Sequence, residues 1–131
     1  SIDAEVARAD RADDLKRGPG GIREIEFLAQ ALQLIHGGRD AALRTARLDA
    51  AFDALVAARL VQPAVRARLM DAYRALRHVE NRVQMLHDAQ VHALPRDAVQ
   101  HARIARALGF ADAAALAGWL DPHRRTVAAE F

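Results

Sequence analysis

Asp14-Leu15-Lys16-Arg17-Gly18-Pro19-Gly20-Gly21-Ile22-Arg23-Glu24-Ile25-Glu26-Phe27 carries three of the chain's seven glycines, one of its four prolines and its single lysine. Pro-Gly-Gly stops whatever precedes it, and the glycines permit positive φ and close backbone approach before an apolar-periodic segment begins. A helix therefore starts near Gly21. Its first amides have no partners inside the helix, and Lys16 and Arg17 lie just upstream. That is the composition of an anion site, phosphate in particular. No Gly-Lys-Ser/Thr follows the glycines and no strand pattern precedes them, so the stretch is neither a Walker loop nor a dinucleotide fingerprint. The alternative is a tight helix-start turn with two solvated cations. Arginine occurs 18 times and lysine once, and an isolated ammonium beside glycines suits a site that needs a compact point charge.

A chain of 131 residues is one ordinary domain, long enough to bury a core. Ala, Leu, Arg and Val dominate, aromatics make up 5% and β-branched runs are absent, so an all-α fold is expected. With no cysteine, disulfides and thiolate zinc sites are excluded. No apolar run approaches the ~20 residues needed to cross a bilayer and no signal-peptide pattern opens the chain. A soluble, cytoplasmic protein is expected, with no membrane partner. The net charge of +2 is small, the arginines alternate with acids and stacking aromatics are scarce. Nucleic acid is therefore not an expected partner.

Residues 1–12 carry a weak apolar stripe of Ile2, Val6 and Ala9, read as the end of an inter-domain helix or arm, with residues 13–131 forming the bundle domain. Asp13 and Asp14 are expected to be solvated. The first long helix should run from about Gly21 to His36 and be mostly buried, with Ile22, Ile25, Leu28, Ala29, Leu32 and Ile35 on one face, widened by Phe27, Ala31 and Leu34. Glu24 falls inside that apolar arc, where it either caps the helix start or serves a site. Gly37-Gly38 ends the helix.

Thr45 is a candidate cap for a helix to about Leu60, and Pro63 opens the longest helix, to about His87. Its face of Val65, Leu69, Ala72, Tyr73, Leu76, Val79, Val83 and Leu86 includes Glu80, which needs an arginine partner, most simply Arg77 or Arg23. Arg74, Arg77 and Arg82 are otherwise a solvated face. No histidine pair has metal-ligand spacing with a third ligand in view, so no metal is expected on this chain. Asp97 and Asp112 should cap two final helices, Gly109 should end the first of them, and Asp121-Pro122 should kink or restart the second. Trp119 is expected in the core. The sum is a single up-and-down helical bundle of about five or six helices.

Lys16-x-Gly18-x-Gly20-Gly21-x-Arg23-Glu24-Ile25-Glu26-Phe27 resembles the signature of the helical domain that follows the nucleotidyltransferase domain in the bifunctional glutamine synthetase adenylyltransferase and adenylyl-removing enzyme family. A shorter form, lysine followed by Gly-Gly-x-Arg, occurs in the PII-uridylyltransferases. Gln30 to Ile35 with Gly37-Gly38-Arg39, and Tyr73-x-x-Leu76-Arg77-x-x-Glu80-x-Arg82-x-Gln84, are similar to the family's first two long helices. The resemblance covers residues 13–127, and Arg23 is more similar to the adenylyl-removing half. The chain departs from the family at Ala89, where a glutamate is common.

What the resemblance implies is a domain without catalytic residues of its own, inactive in isolation, completing the active site of a preceding nucleotidyltransferase domain. That absent domain would hold Mg²⁺ and ATP, ADP or phosphate. Lys16, Arg17, Gly20, Gly21 and Arg23 would face phosphate or nucleotide, and Glu24 or Glu80 would orient Arg23. The implied reaction is phosphorolytic removal of AMP from a tyrosine of glutamine synthetase, with the partner half adding AMP from ATP. The implied partners are the nucleotidyltransferase domain, glutamine synthetase and a PII-type signal protein. The alternative is a helical module that docks glutamine synthetase or the signal protein without touching phosphate.

Overall fold

The computed structural model describes residues 14–35, 48–87 and 93–130. The expectations placed on residues 1–13, on His36 to Thr45 and on Asp88 to His92 lie outside them. Among the described residues five helices follow one another: α1 (Ile22–Ile35), α2 (Leu48–Ala57), α3 (Pro63–His87), α4 (Ala98–Ala107) and α5 (Ala113–Ala129). The fold is all-α, and the only strand-like feature among the described residues is a single antiparallel bridge between Asp14 and Ala93.

α3 is the axis of the bundle. It packs on every other helix, most extensively on α5. Leu69, Ala72, Leu76, Val79 and Val83 are buried along it at i, i+3, i+4 spacing, and they meet Ile22 and Ile25 of α1, Phe52 and Leu55 of α2, Ile104 of α4 and Leu116, Leu120 and Val127 of α5 in one core. Burial of each large side chain contributes about 1.5–3 kcal/mol, and that packing, more than propensity, makes ten-residue helices such as α2 and α4 persist.

The caps follow the sequence closely. The Asp97 carboxylate accepts from the Val99 amide at 3.0 Å and the Asp112 carboxylate from the Ala115 amide at 2.8 Å, each satisfying an amide that the helix leaves over. Gly109, at φ 92, follows the last residues of α4, and the Phe110 amide reaches back to the Ala105 carbonyl at 2.9 Å. α2 ends by the same geometry with no glycine: Arg59 sits at φ 61, its amide donates to the Val56 carbonyl at 3.0 Å, and the Leu60 amide donates to the Leu55 carbonyl at 2.9 Å. This is why α2 stops at Ala57 and not at Leu60.

Other expectations are corrected by the packing. α1 is not mostly buried: only Ile22, Ile25 and Ala29 are, while Phe27 is exposed and Leu34 and Ile35 stand 76% and 73% open. Leu86, assigned to the buried face of α3, is exposed too. α5 runs through Pro122 without a restart. The proline removes one hydrogen bond, to the carbonyl of exposed Gly118, where water can serve. Trp119 is 37% exposed and lies over the bundle edge, its ring 5.4 Å from Phe110 and 5.5 Å from His123.

Candidate functional site

The glycine turn is built from its backbone outward. The Asp14 carboxylate accepts from the Lys16 and Arg17 amides at 3.0 and 2.8 Å, the local loop that an aspartate forms with amides two and three residues on. Asp14 is therefore half-buried and structural, which corrects the expectation that it is solvated. The Gly18 amide donates to the Asp14 carbonyl, the Gly21 amide to Gly18, Ile22 to Leu15 and Arg23 to Lys16, all between 2.8 and 3.0 Å. Leu15 is fully buried and anchors the turn in the core.

Glu24 supplies the remaining acceptor. Its Oε2 takes the Gly20 amide at 2.9 Å, so a third-position acid of α1 caps the residues before the helix, as an acid in a first turn favours. Glu24 thus serves the turn and not Arg23. The amides of Gly20 and Gly21 are both occupied within the chain, which removes them as the free donors that the sequence invited. The glycines are needed for another reason. Gly20 sits at φ 67, and a Cβ there would overlap the main-chain carbonyl of Arg124 on α5. At Gly21 a Cβ would lie 2.7 Å from the Leu15 carbonyl oxygen and 2.8 Å from that of Gly18. The close approach made possible by the glycines is to α5 and to the turn itself.

The side chains of the turn face outward. Lys16 is half-buried, and Arg17 and Arg23 are exposed. Among the described residues none of the three makes an ion pair within 4.0 Å. The Arg23 guanidinium lies 4.8 Å above the centre of the Phe27 ring, one helical turn on. Phe27 is itself exposed, so the pair lies on the surface.

Glu80 belongs to a second cluster. It is 1% exposed, and its carboxylate accepts from Arg77 Nη1 at 2.8 Å, while the Arg77 side chain remains 47% exposed. The Arg77 guanidinium also lies 5.7 Å from the Tyr73 ring centre. Burial works against the Arg77 charge, but Tyr73, Glu80 and, from α1, Glu26 outweigh it and hold its pKa above the ordinary arginine value. Of the two arginines open to Glu80 at the sequence level, the structure selects Arg77. Arg23 lies over Phe27, while Glu24 accepts from the Gly20 amide and Glu80 from Arg77.

Two residues of the site carried no expectation of this kind. Asp14 had a readable signal, an acid just ahead of a glycine turn. Arg124 had none, being 105 residues from Pro19, to whose carbonyl its Nε donates at 3.3 Å. Beside them, Pro19, Leu94, His101, Leu116, Leu120 and Arg124 line an open cavity of about 410 Å³. Among the described residues no three of His, Asp or Glu converge as metal ligands, and no helix is long and apolar enough to cross a membrane.

A family model described as the GlnD PII-uridylyltransferase matches residues 1–131. Over all 131 residues the chain is 60% identical to a bifunctional glutamine synthetase adenylyltransferase/adenylyl-removing enzyme of Xanthomonas campestris, covering 14% of that protein. It is 55% identical over its full length to the protein of the same name from Stenotrophomonas maltophilia, again covering 14% of it. With that of Burkholderia mallei it shares 51% identity over 124 residues, 95% of this chain and 13% of the relative. The chain therefore spans about 14% of the length of the curated relatives it matches most fully. A match along its whole length, on an all-α bundle that carries the glycine turn, makes this chain a member of the GlnD PII-uridylyltransferase family.

Proposed function

We propose that this chain is the helical domain of a glutamine synthetase adenylyltransferase/adenylyl-removing enzyme, and that it completes the active site of a nucleotidyltransferase domain elsewhere in the longer polypeptide. The observation that carries the reading is 60% identity over the full chain to a protein of that name. In this reading residues 13–131 form the domain, and residues 1–12 are the end of an inter-domain helix or an arm. The chain contributes charge and shape, and the absent domain contributes the metal ligands and the chemistry.

In this reading Lys16, Arg17 and Arg23 meet phosphate through their side chains, and the glycines place them. Lys16 supplies a point charge and the guanidinium groups supply planar donors suited to phosphate oxygens. Gly20 and Gly21 act by holding the backbone against α5, and Glu24 fixes the entry to α1. Mg²⁺ with ATP, ADP or phosphate is held by the nucleotidyltransferase domain, and glutamine synthetase is the protein substrate. Mg²⁺ held by that domain would offset negative charge on the adenylyl group being transferred. The enzyme works in the cytoplasm, and a PII-type signal protein is a further partner.

The test is de-adenylylation of glutamine synthetase by the full-length enzyme carrying Lys16→Ala or Arg23→Ala, each with its melting temperature measured. Loss of one charge-assisted contact is expected to lower kcat/KM roughly ten- to hundredfold with stability retained. Wild-type rates in both variants would overturn the reading. A second reading, docking without phosphate contact, is favoured by the exposed Phe27, Leu34 and Ile35 of α1. It expects Leu34→Ser to impair the enzyme while Lys16→Ala does not.

A further inference from the structure

The glycine turn is held from outside as well as from within. Arg124 Nε donates to the Pro19 carbonyl at 3.3 Å and Arg124 Nη2 to the Asp14 carbonyl at 3.5 Å. These two acceptors lie at opposite ends of the turn, five residues apart in the chain. The contact has a second, independent part: the Gly20 Cα is pressed so closely on the Arg124 backbone that no side chain fits between them. On its other side the turn is bridged at Asp14 to Ala93, next to buried Leu94. Every hydrogen bond inside the turn, by contrast, joins residues close in sequence. Such bonds fix the shape of the turn but say nothing of where it sits on the bundle.

We propose that Arg124 is a positioning residue: its guanidinium bridges the carbonyls of Asp14 and Pro19, sets the glycine turn in register on α5, and so fixes where Lys16 and Arg17 present their charges. The inference rests on the reading of Lys16 and Arg17 as phosphate-facing side chains and deepens it. An arginine suits this task because its planar fork reaches two acceptors at once from one rigid group, which an ammonium on a flexible stem does not. Placement matters at this level because a displacement of about 1 Å at a group that meets the reacting phosphate is enough to cost a hundredfold in rate. Arg124 touches no substrate in this scheme and acts only through the turn.

The experiment uses the full-length enzyme with Arg124→Ala, Arg124→Lys, Lys16→Ala and, as a reference one residue along α5, Arg125→Ala. Two quantities are read: amide hydrogen exchange of residues 16–23 against that of the α3 interior, and the kinetics of de-adenylylation with inorganic phosphate as the varied substrate. Arg124→Ala is expected to speed exchange of the turn roughly tenfold while the α3 interior is unchanged, and to lower kcat/KM for phosphate by about tenfold. Free guanidinium chloride at millimolar concentration should restore part of the Arg124→Ala rate, and Arg124→Lys should restore less. Arg125→Ala should leave both quantities as they are.

Unchanged exchange in the turn of Arg124→Ala overturns the proposal, because Gly20 packing, buried Leu15 and the Asp14–Ala93 bridge would then hold the register without it. Faster exchange with an unaltered rate also overturns it, since the position of the turn would not govern the reaction. Uniformly faster exchange, in α3 as well as in the turn, reduces Arg124 to a stability residue and overturns it too. Lys16→Ala separates the two levels of inference. If it lowers the rate while Arg124→Ala does not, only the positioning role fails. If neither lowers the rate, the phosphate-facing reading fails with it.

Discussion

Gly20 and Gly109 both adopt positive φ, 67° and 92°, yet they sit in opposite surroundings. Around Gly109 there is open space, and the residue serves only to let the backbone turn left at the end of α4. Around Gly20 there is the main chain of α5, so close that a Cβ has no room. One glycine answers to a dihedral angle and the other to a tertiary contact. The end of α2 shows the difference from a third side. Arg59 reaches φ 61 with an ordinary side chain, because a left-handed residue is merely costly where nothing presses on it, by about 1–2 kcal/mol. A glycine in sequence therefore does not reveal whether it is a preference or a necessity.

Substitutions at these positions sharpen or break that contrast. Gly20→Ala combines the dihedral cost with a clash that neither the turn nor α5 can relieve by side-chain motion, and is expected to destabilise by roughly 3–5 kcal/mol in denaturant melts. A loss near 1 kcal/mol would show that the turn can lift off α5. Asp14→Ala deletes the acceptor of two turn amides and should cost about 2 kcal/mol, read in the same melts. Gly109→Ala should cost about 1 kcal/mol, the dihedral contribution alone. Arg59→Gly should raise stability by about 0.5–1 kcal/mol, since relief of the left-handed strain exceeds the added freedom of the unfolded chain. Equal losses for Gly20→Ala and Gly109→Ala would erase the distinction.

The helices were legible because their signals are local. Apolar spacing along Leu69, Ala72, Leu76, Val79 and Val83 marks the buried face of α3, and Asp97 and Asp112 cap as their place in sequence implies. The misjudged burials share one cause. Leu34, Ile35 and Leu86 fit a buried periodicity and are nevertheless exposed, because periodicity states which residues share a face and not how far a neighbouring helix covers it. Trp119 was misplaced for the same reason, and α2 stops short of Leu60 at an arginine that carries no stop signal. In the site, Glu24 and Glu80 were identified as misfits on apolar faces, and each has a partner. Which partner each takes, the Gly20 amide and Arg77 respectively, depends on side-chain reach in three dimensions.

By itself the sequence determined an all-α bundle, the starts of four of its helices, and a glycine turn flanked by three cations. These follow from backbone preferences and amphipathic spacing within a few residues. Only the tertiary structure decided what the turn is for mechanically: its amides are consumed, its glycines fit against α5, and Arg124 reaches it from 105 residues away. Such contacts join segments whose separation along the chain carries no periodic or compositional trace, so they exist only once the core has brought α5 and the turn together.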